Sequence, residues 1–410
     1  MKRYAKNVNI LDLDFIEICI ADCLRKKWKR KDVCIYFCSL LKISKAKFRQ
    51  IAATNRKFLI EKAAISLRKE LATRKLKLPP TWYRKKIDSS SHKERWIGIQ
   101  NIKQQFCDYV AVYGMRDMLG RIGEFQCATI PGRGPIWGVK HIKKWLKEKD
   151  SNYFVKMDIK KCFPSISHDK LLSLVHKYLA NDNLIWLVDE LVKSMADGLS
   201  IGSYRSQYLC NFYMSFLYHK VKENLFFERR GKKIPMVKHL LIYMDDILLI
   251  GSNSKMLLEA SKRIVEFIDK TLGLTMKPFW SVTKLDDKRF IDIMGFRIYK
   301  THITIRRRVF LRIRRAYKRA RKYRNSVRLA RKCNSYKGHI LHTDSLKFAK
   351  RYHVYGSARR ARRLISNASK IRQRAAQCFG NISGWQSLYF HLSKWRLEFR
   401  FRNIGGLLGM

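Results

Sequence analysis

The chain has 410 residues, 88 of them Lys or Arg against 32 Asp or Glu, giving a formal net charge of +56 and a pI near 10.3. With 46% hydrophobic and 12% aromatic residues it can bury a large core in two or three subdomains, which excludes a disordered chain. So basic a field implies a polyanion partner bound in a salt-dependent way; no apolar run reaches the roughly 18 residues of a membrane span, so nucleic acid is expected and a membrane is not.

Ten cysteines are scattered among helical and strand patterns, and the charged start, MKRYAKN, lacks signal-peptide character. Free thiols in a reducing cytoplasm are expected. From Ile10 to about Leu76, apolar positions fall three or four apart in LDLDFIEICIADCLRKKW, VCIYFCSLLKI and KFLIEKAAISLRKELATRKL, which predicts helices with basic outer faces. Cys19/Cys23 and Cys34/Cys38 share that spacing and read as small hydrophobes on helix faces, so no zinc site is expected. Leu78-Pro79-Pro80 ends the helical segment.

Lys93-Glu94-Arg95-Trp96-Ile97-Gly98-Ile99 reads as a short basic strand with Lys93 and Arg95 on one side, suited to lie over a triphosphate. A helix through KQQFCDYVAVYGMRDML follows. Ile130-Pro131-Gly132-Arg133-Gly134 gives a tight turn that phosphates can approach, with Arg133 as the cation. After the amphipathic GVKHIKKWL, an apolar strand from Tyr153 leads to Asp158 and, five residues on, to Phe163. HDKLLSLVHKYL and LIWLVDELVKSM are helical. The loop GLSIGSYRSQ, Gly198 to Gln207, precedes a strongly apolar helix, YLCNFYMSFLYHKV.

His239 to Gly251, HLLIYMDDILLIG, reads as a buried hairpin: two continuous apolar runs of strand length joined by a turn that carries Asp245 and Asp246. Adjacent carboxylates between buried strands are costly unless neutralised. Hard Mg²⁺ does so while sharing substrate phosphates, and Asp158 supplies a third carboxylate. These three residues are expected to hold two Mg²⁺ ions, with Mn²⁺ as a substitute. One would activate a primer 3′-hydroxyl and the other steady the departing pyrophosphate.

SKMLLEASKRIVEFIDKTLGL is an amphipathic helix closed by Gly273, and Lys277 precedes a strand leading to Ile293-Met294-Gly295-Phe296. From Thr304 the cations crowd a helical pattern, Arg306 and Arg312 among them, and a second basic cluster runs from Arg359 to Arg374. Such helices suit tracking of a duplex backbone by shape and phosphate. The segment from Gly384 to Phe401 alternates aromatic and basic residues, fit to stack bases or to close a core.

The tetrad Tyr243-Met244-Asp245-Asp246, with Asp158 and Phe163, the Lys-x-Arg-x-x-Gly-Ile segment and the glycine loops in this order, resembles bacterial reverse transcriptases over about residues 90 to 300. The resemblance implies an α+β right-hand polymerase, fingers–palm–thumb with an antiparallel palm sheet. It implies a helical N-terminal extension at residues 1–80, fingers and palm at 81–303 and a basic helical thumb at 304–410. Asp158, Asp245 and Asp246 become the catalytic metal ligands. Lys93, Arg95, Phe163, Gly202, Gln207 and Lys277 fall to the nucleotide, Phe163 excluding a 2′-hydroxyl by steric clash. Lys277 or Lys284 would protonate pyrophosphate. Arg133, Tyr243, Met244, Gly295, Arg306 and Arg312 fall to primer and template, Met294-Gly295 being similar to the family's primer-grip turn.

Ile201-Gly202-Ser203-Tyr204-Arg205-Ser206-Gln207 is similar to the pattern of diversity-generating retroelement enzymes, where many bacterial relatives read Gln-Gly-x-x-x-Ser-Pro. Gly202 would let the backbone approach the forming base pair, and Ile201 in place of glutamine suggests loose base selection. The expected activity is copying of a cognate, noncoding RNA into cDNA from dNTPs. The setting is a diversity-generating retroelement with a small accessory protein, or anti-phage defence, which the N-terminal helices fit nearly as well. A second reverse transcriptase or a homo-oligomer is a further partner to expect, and retron and group II intron types match less well. The alternative is a catalytically silent RNA-binding scaffold, against which the three intact carboxylates stand.

Overall fold

The computed structural model describes residues 3–87 and 94–378, with side chains up to residue 371. Lys93 and the aromatic-basic segment 384–401 lie outside the described residues. The chain forms two compact units, Met1–Val309 and Phe310–Met410.

The first unit opens with α1 (Leu13–Leu24), α2 (Lys31–Leu41), α3 (Lys45–Thr54) and α4 (Arg56–Ala72). Asp12, Ser44 and Asn55 cap α1, α3 and α4 by accepting from the amides of Phe15, Lys47 and Phe58. Helix α3 is one more than the apolar spacing predicts. Its core face is little more than Phe48, diluted by Lys45, Lys47 and Arg49, so its periodic signal is weak. Cys19 and Cys23 are buried on α1, and burial pushes their thiols up to about 12 and about 11.

The strands β1 (Trp82–Ile87) and β2 (Glu94–Ile99) pair antiparallel, followed by α5 (Ile102–Gly114) and α6 (Arg116–Leu119). Then come β3 (Gln126–Cys127), α7 (Pro135–Trp145), β4 (Tyr153–Asp158), α8 (Cys162–Ser165), α9 (His168–Tyr178), α10 (Asp182–Lys193) and α11 (Tyr204–Asn224). Two hairpins follow, β5 (Phe226–Arg229) with β6 (Lys232–Pro235) and β7 (His239–Tyr243) with β8 (Asp246–Gly251). Helix α12 (Ser254–Lys270), capped by Asn253, ends at Gly273, whose φ is +62°. There the Leu274 amide donates to the Ile268 carbonyl at 3.0 Å, a glycine-closed helix end as expected. The unit finishes with β9 (Thr283–Lys284) and the meander β10 (Ile291–Ile293), β11 (Phe296–Ile298) and β12 (Ile303–Ile305).

The central sheet has the order β3-β7-β8-β4-β9. It is antiparallel except at β3, which joins parallel through Gln126 opposite Ile242 and Cys127 opposite Tyr243. Two residues are too few to leave a pattern in sequence. Along β7 and β8, Leu240, Ile242, Ile247 and Leu249 enter the helical core, while Leu241, Leu248 and Ile250 enter a second core with α7 and β10–β11. A sheet buried on both faces explains the uninterrupted apolar runs. Helices α1–α4 bury their faces in that same helical core.

In the second unit α13 (Arg307–Lys322), which starts at the end of the first, continues into α14 (Val327–Leu341), α15 (Leu346–Arg351) and α16 (Val354–Cys378). Ile313, Tyr317, Cys333, Tyr352 and Val354 are buried, and the Tyr317 hydroxyl donates to the Cys333 carbonyl at 2.9 Å. Among the described residues, no helix is long and apolar enough to cross a membrane.

Candidate active site

β4 ends on Asp158, and the β7–β8 turn carries Asp245 and Asp246, so strand pairing sets Asp158 directly opposite Asp246. Tyr243 pairs with Asp246 to close the turn, and Met244 takes a φ of +56° at its tip, a left-handed conformation. For a residue with a Cβ this costs about 1–2 kcal/mol. The end of β4 is fastened on both sides. The Ile159 amide donates to the Asp245 carbonyl at 3.1 Å, the Lys160 amide to Thr275 at 2.8 Å, and the Lys277 amide to the Asp158 carbonyl at 2.9 Å.

Two lysines answer two of the three carboxylates. Lys277 Nζ forms an ion pair with Asp158 Oδ1, and Lys156 Nζ meets Asp246 Oδ1 at 3.1 Å. Lys156 stands two residues before Asp158, hence on the same strand face, and that spacing is the signal by which sequence could have found it. Burial, then the charge of Asp246, raises the Asp245 carboxyl above its ordinary 3.8. Burial also raises that of Asp246, opposed by Lys156 and, more weakly, by Arg306.

Three hard oxygen donors on neighbouring strand ends, two with raised proton affinity, suit a divalent cation. As the side chains stand, lysines take up much of that charge. Among the described residues no three His, Cys, Asp or Glu side chains are gathered so as to hold a metal ion.

The structure separates the two lysines between which sequence left the choice open. Lys284 lies opposite Tyr153, at the far end of β4, five residues from Asp158 and so roughly 17 Å away. Lys277 lies at the carboxylates. Gly202 and Gly198 position the loop between them. The Gly98 amide donates to the Ile201 carbonyl at 2.8 Å; Gly202 has a φ of +114°, and a Cβ there would fall 2.6 Å from the Gly98 carbonyl. At the other end the Leu199 amide donates to the Phe163 carbonyl at 2.8 Å, and a Cβ on Gly198 would fall 2.6 Å from that oxygen. The loop therefore joins β2, with exposed Arg95, to α8, with half-buried Phe163. The close approach that Gly202 makes is to strand β2. Gln207 is half-buried in the first turn of α11.

The remaining residues expected at primer and template are placed as follows. Arg133 Nη1 donates to the Gly123 carbonyl at 2.8 Å, joining the residues on either side of β3. Arg306 is not in a basic helix: it follows β12, its amide donates to the Gly295 carbonyl at 3.0 Å, and its Nε meets Asp292 Oδ1 at 2.5 Å. Met294 and Gly295, with φ of +53° and +87°, form the two-residue β10–β11 turn, and Met294 rests against Gly138 of α7. Arg312 belongs to the second unit and is half-buried, adding to the burial that lowers the His339 pKa.

One group behind the loop left no signal in sequence. Arg205 and Asp108 are fully buried and paired, Ser203 Oγ donates to Asp108 Oδ2 at 2.9 Å, and Arg205 Nη2 donates to the Leu191 carbonyl. An arginine in a glycine loop reads as a phosphate ligand; this one pins α11 to α5 and α10.

Residues 84–297 match the family described as Reverse transcriptase (RNA-dependent DNA polymerase). A stretch of 93 residues, 20% of this chain, is 31% identical to the Putative COX1/OXI3 intron 1 protein of Saccharomyces cerevisiae and covers 11% of that protein, a small part of its length. Among solved structures, the apo telomerase of Candida tropicalis truncated from its C-terminal domain aligns with a TM-score of 0.39 and 14% identity, over 64% of this chain and 70% of that one. The telomerase of Candida albicans in complex with a TWJ fragment of telomeric RNA aligns at 0.40 and 11%, over 79% and 67%. Both are distant likenesses.

Proposed function

Because the chain belongs to the reverse transcriptase (RNA-dependent DNA polymerase) family, we propose that it is an RNA-directed DNA polymerase that extends a primer with dNTPs along a cognate RNA. The observation that carries this reading is Asp158 facing Asp246 across β4 and β8, with Asp245 beside them. In it, residues 81–303 serve as fingers and palm, residues 1–80 as a helical extension and residues 304–410 as thumb. Asp158, Asp245 and Asp246 would hold Mg²⁺, or Mn²⁺ in its place, which when bound supplies Lewis-acid stabilisation of the transferring phosphate. Lys277, whose Nζ pairs with Asp158, would give a proton to the leaving pyrophosphate. Arg95 and Lys93 serve the triphosphate, Phe163 the sugar, and Gly202 and Gln207 frame the nucleotide. Arg133, Tyr243, Met244, Gly295, Arg306 and Arg312 would serve primer and template.

Ile201 and Gln207 support a diversity-generating role with loose base selection. Helices α1–α4 support a defence role as the second reading. With Mg²⁺, labelled dNTPs and a primed RNA, incorporation is expected. Asp245→Ala and Asp246→Ala should each reduce it by about 10³-fold or more, the scale of several kcal/mol of charge stabilisation, with RNA binding retained. Incorporation that survives both substitutions would sink the proposal, and absence of incorporation with tight RNA binding would leave the scaffold. Errors concentrated at template adenines would separate the diversity-generating role from defence.

A further inference from the structure

Between α11 and β7 the chain makes an excursion that the carboxylate site does not use. Its two ends, Leu225 and Met236, are buried, and the Met236 amide donates to the Leu225 carbonyl at 3.0 Å. Every residue between Phe227 and Pro235 is exposed, and among the described residues β5 and β6 pair with each other and with no other strand. Arg230 and Gly231, with φ of +51° and +70°, make a type I′ turn that fixes the register. That register places Phe227 opposite Ile234 and Arg229 opposite Lys232, so both pairs share one face. The opposite face carries Glu228 across from Lys233, where the charges cancel.

An isolated two-stranded ribbon is marginal in water, and this one also exposes Phe227 and Ile234 at 46% and 39%. Both features favour a partner, and the cations of one face and the turn fit a polyanion. The ribbon is rooted at the His239 end of β7, four residues and roughly 13 Å from the Tyr243 end beside the carboxylates. A ligand held here is a different part of the nucleic acid from the primer end. We propose that the β5–β6 hairpin docks the phosphate backbone of a base-paired stem in the template RNA, outside the stretch being copied. Phosphate and shape contacts of this kind are how proteins hold A-form stems. This inference rests on the polymerase reading.

The test uses the full chain with Arg229→Ser/Lys232→Ser. The charge-matched control is Lys255→Ser/Lys262→Ser on exposed positions of α12. Binding to a labelled RNA stem-loop is measured across salt, and primer extension is compared on RNA templates with and without a stem. The hairpin variant should bind the stem-loop with a slope of log K against log salt shallower by about 1.5–2, the value of two lost phosphate contacts, and the control should not. Its KM defect on the stem-bearing template should exceed that on the stemless one by about tenfold, the difference that 1.4 kcal/mol makes. Arg229→Lys, which keeps the charge, should retain binding. Equal loss in variant and control, unchanged binding, or tighter binding to a DNA duplex of the same sequence would each overturn the proposal. A wild-type chain that extends no primed template removes the polymerase reading, while the stem-loop comparison still decides the hairpin.

Discussion

Asp245 shows how burial sets the stability cost of a single charge. Burial, then the neighbouring Asp246, raises its carboxyl above 3.8, so the folded chain holds that proton more tightly than the unfolded one. Ionisation therefore costs stability, a cost absent below 3.8 that grows as pH rises from there to the raised value. Asp245→Asn keeps the shape and removes the charge. Free of metal at pH 7, this variant should melt at a higher temperature than the wild type. Calorimetry should show the difference shrinking as pH falls through that window, and Mg²⁺ should raise the wild-type Tm alone. An equal or lower Tm for the variant at pH 7 contradicts this account. Asp246 is the less suitable position, since its replacement strands Lys156.

At the scale of elements, the loop from Gly198 to Ser203 is a strut between β2 and α8, and its glycines are there for backbone contact. Gly202→Ala places a Cβ 2.6 Å from the Gly98 carbonyl at a φ of +114°. It should lose about 1–3 kcal/mol of stability and raise the KM for dNTPs more than it lowers kcat. Gly132→Ala is the matched comparison: φ is +78°, but no described residue lies within 4 Å of its Cβ position, so strain alone, on the order of 1 kcal/mol, remains. Chemical denaturation and nucleotide titration of the two variants separate strain from collision. If they behave alike, the contact with β2 is not what the loop provides.

For the whole molecule the governing quantity is the net charge of +56. Arg314, Arg315, Lys318 and Arg319 on α13 and Arg359, Arg360, Arg362 and Arg363 on α16 are all exposed in the second unit, so the field is borne by surface and not by the core. RNA affinity should fall by about 10³-fold or more between roughly 50 and 200 mM salt, as counterion release demands for several phosphate contacts. A nearly flat titration would mean that recognition rests on bases instead.

The residues alone determined the β7–β8 hairpin with its two carboxylates, the Asp158 strand, the amphipathic α12 closed by Gly273 and the basic last quarter of the chain. Each is set by spacing within a dozen residues, where strand alternation, helical period and a glycine's freedom act locally. Only the tertiary structure decided which charges meet. Lys277 reaches Asp158 from 119 residues away while Lys284 goes to the far end of β4. Arg133 turns to the Gly123 carbonyl, Arg306 to Asp292, and Arg205 into the core against Asp108. The two-residue parallel pairing of β3 and the β5–β6 ribbon have the same origin. An ion pair or a short strand pairing depends on distance in space, and no local periodicity in the chain records it.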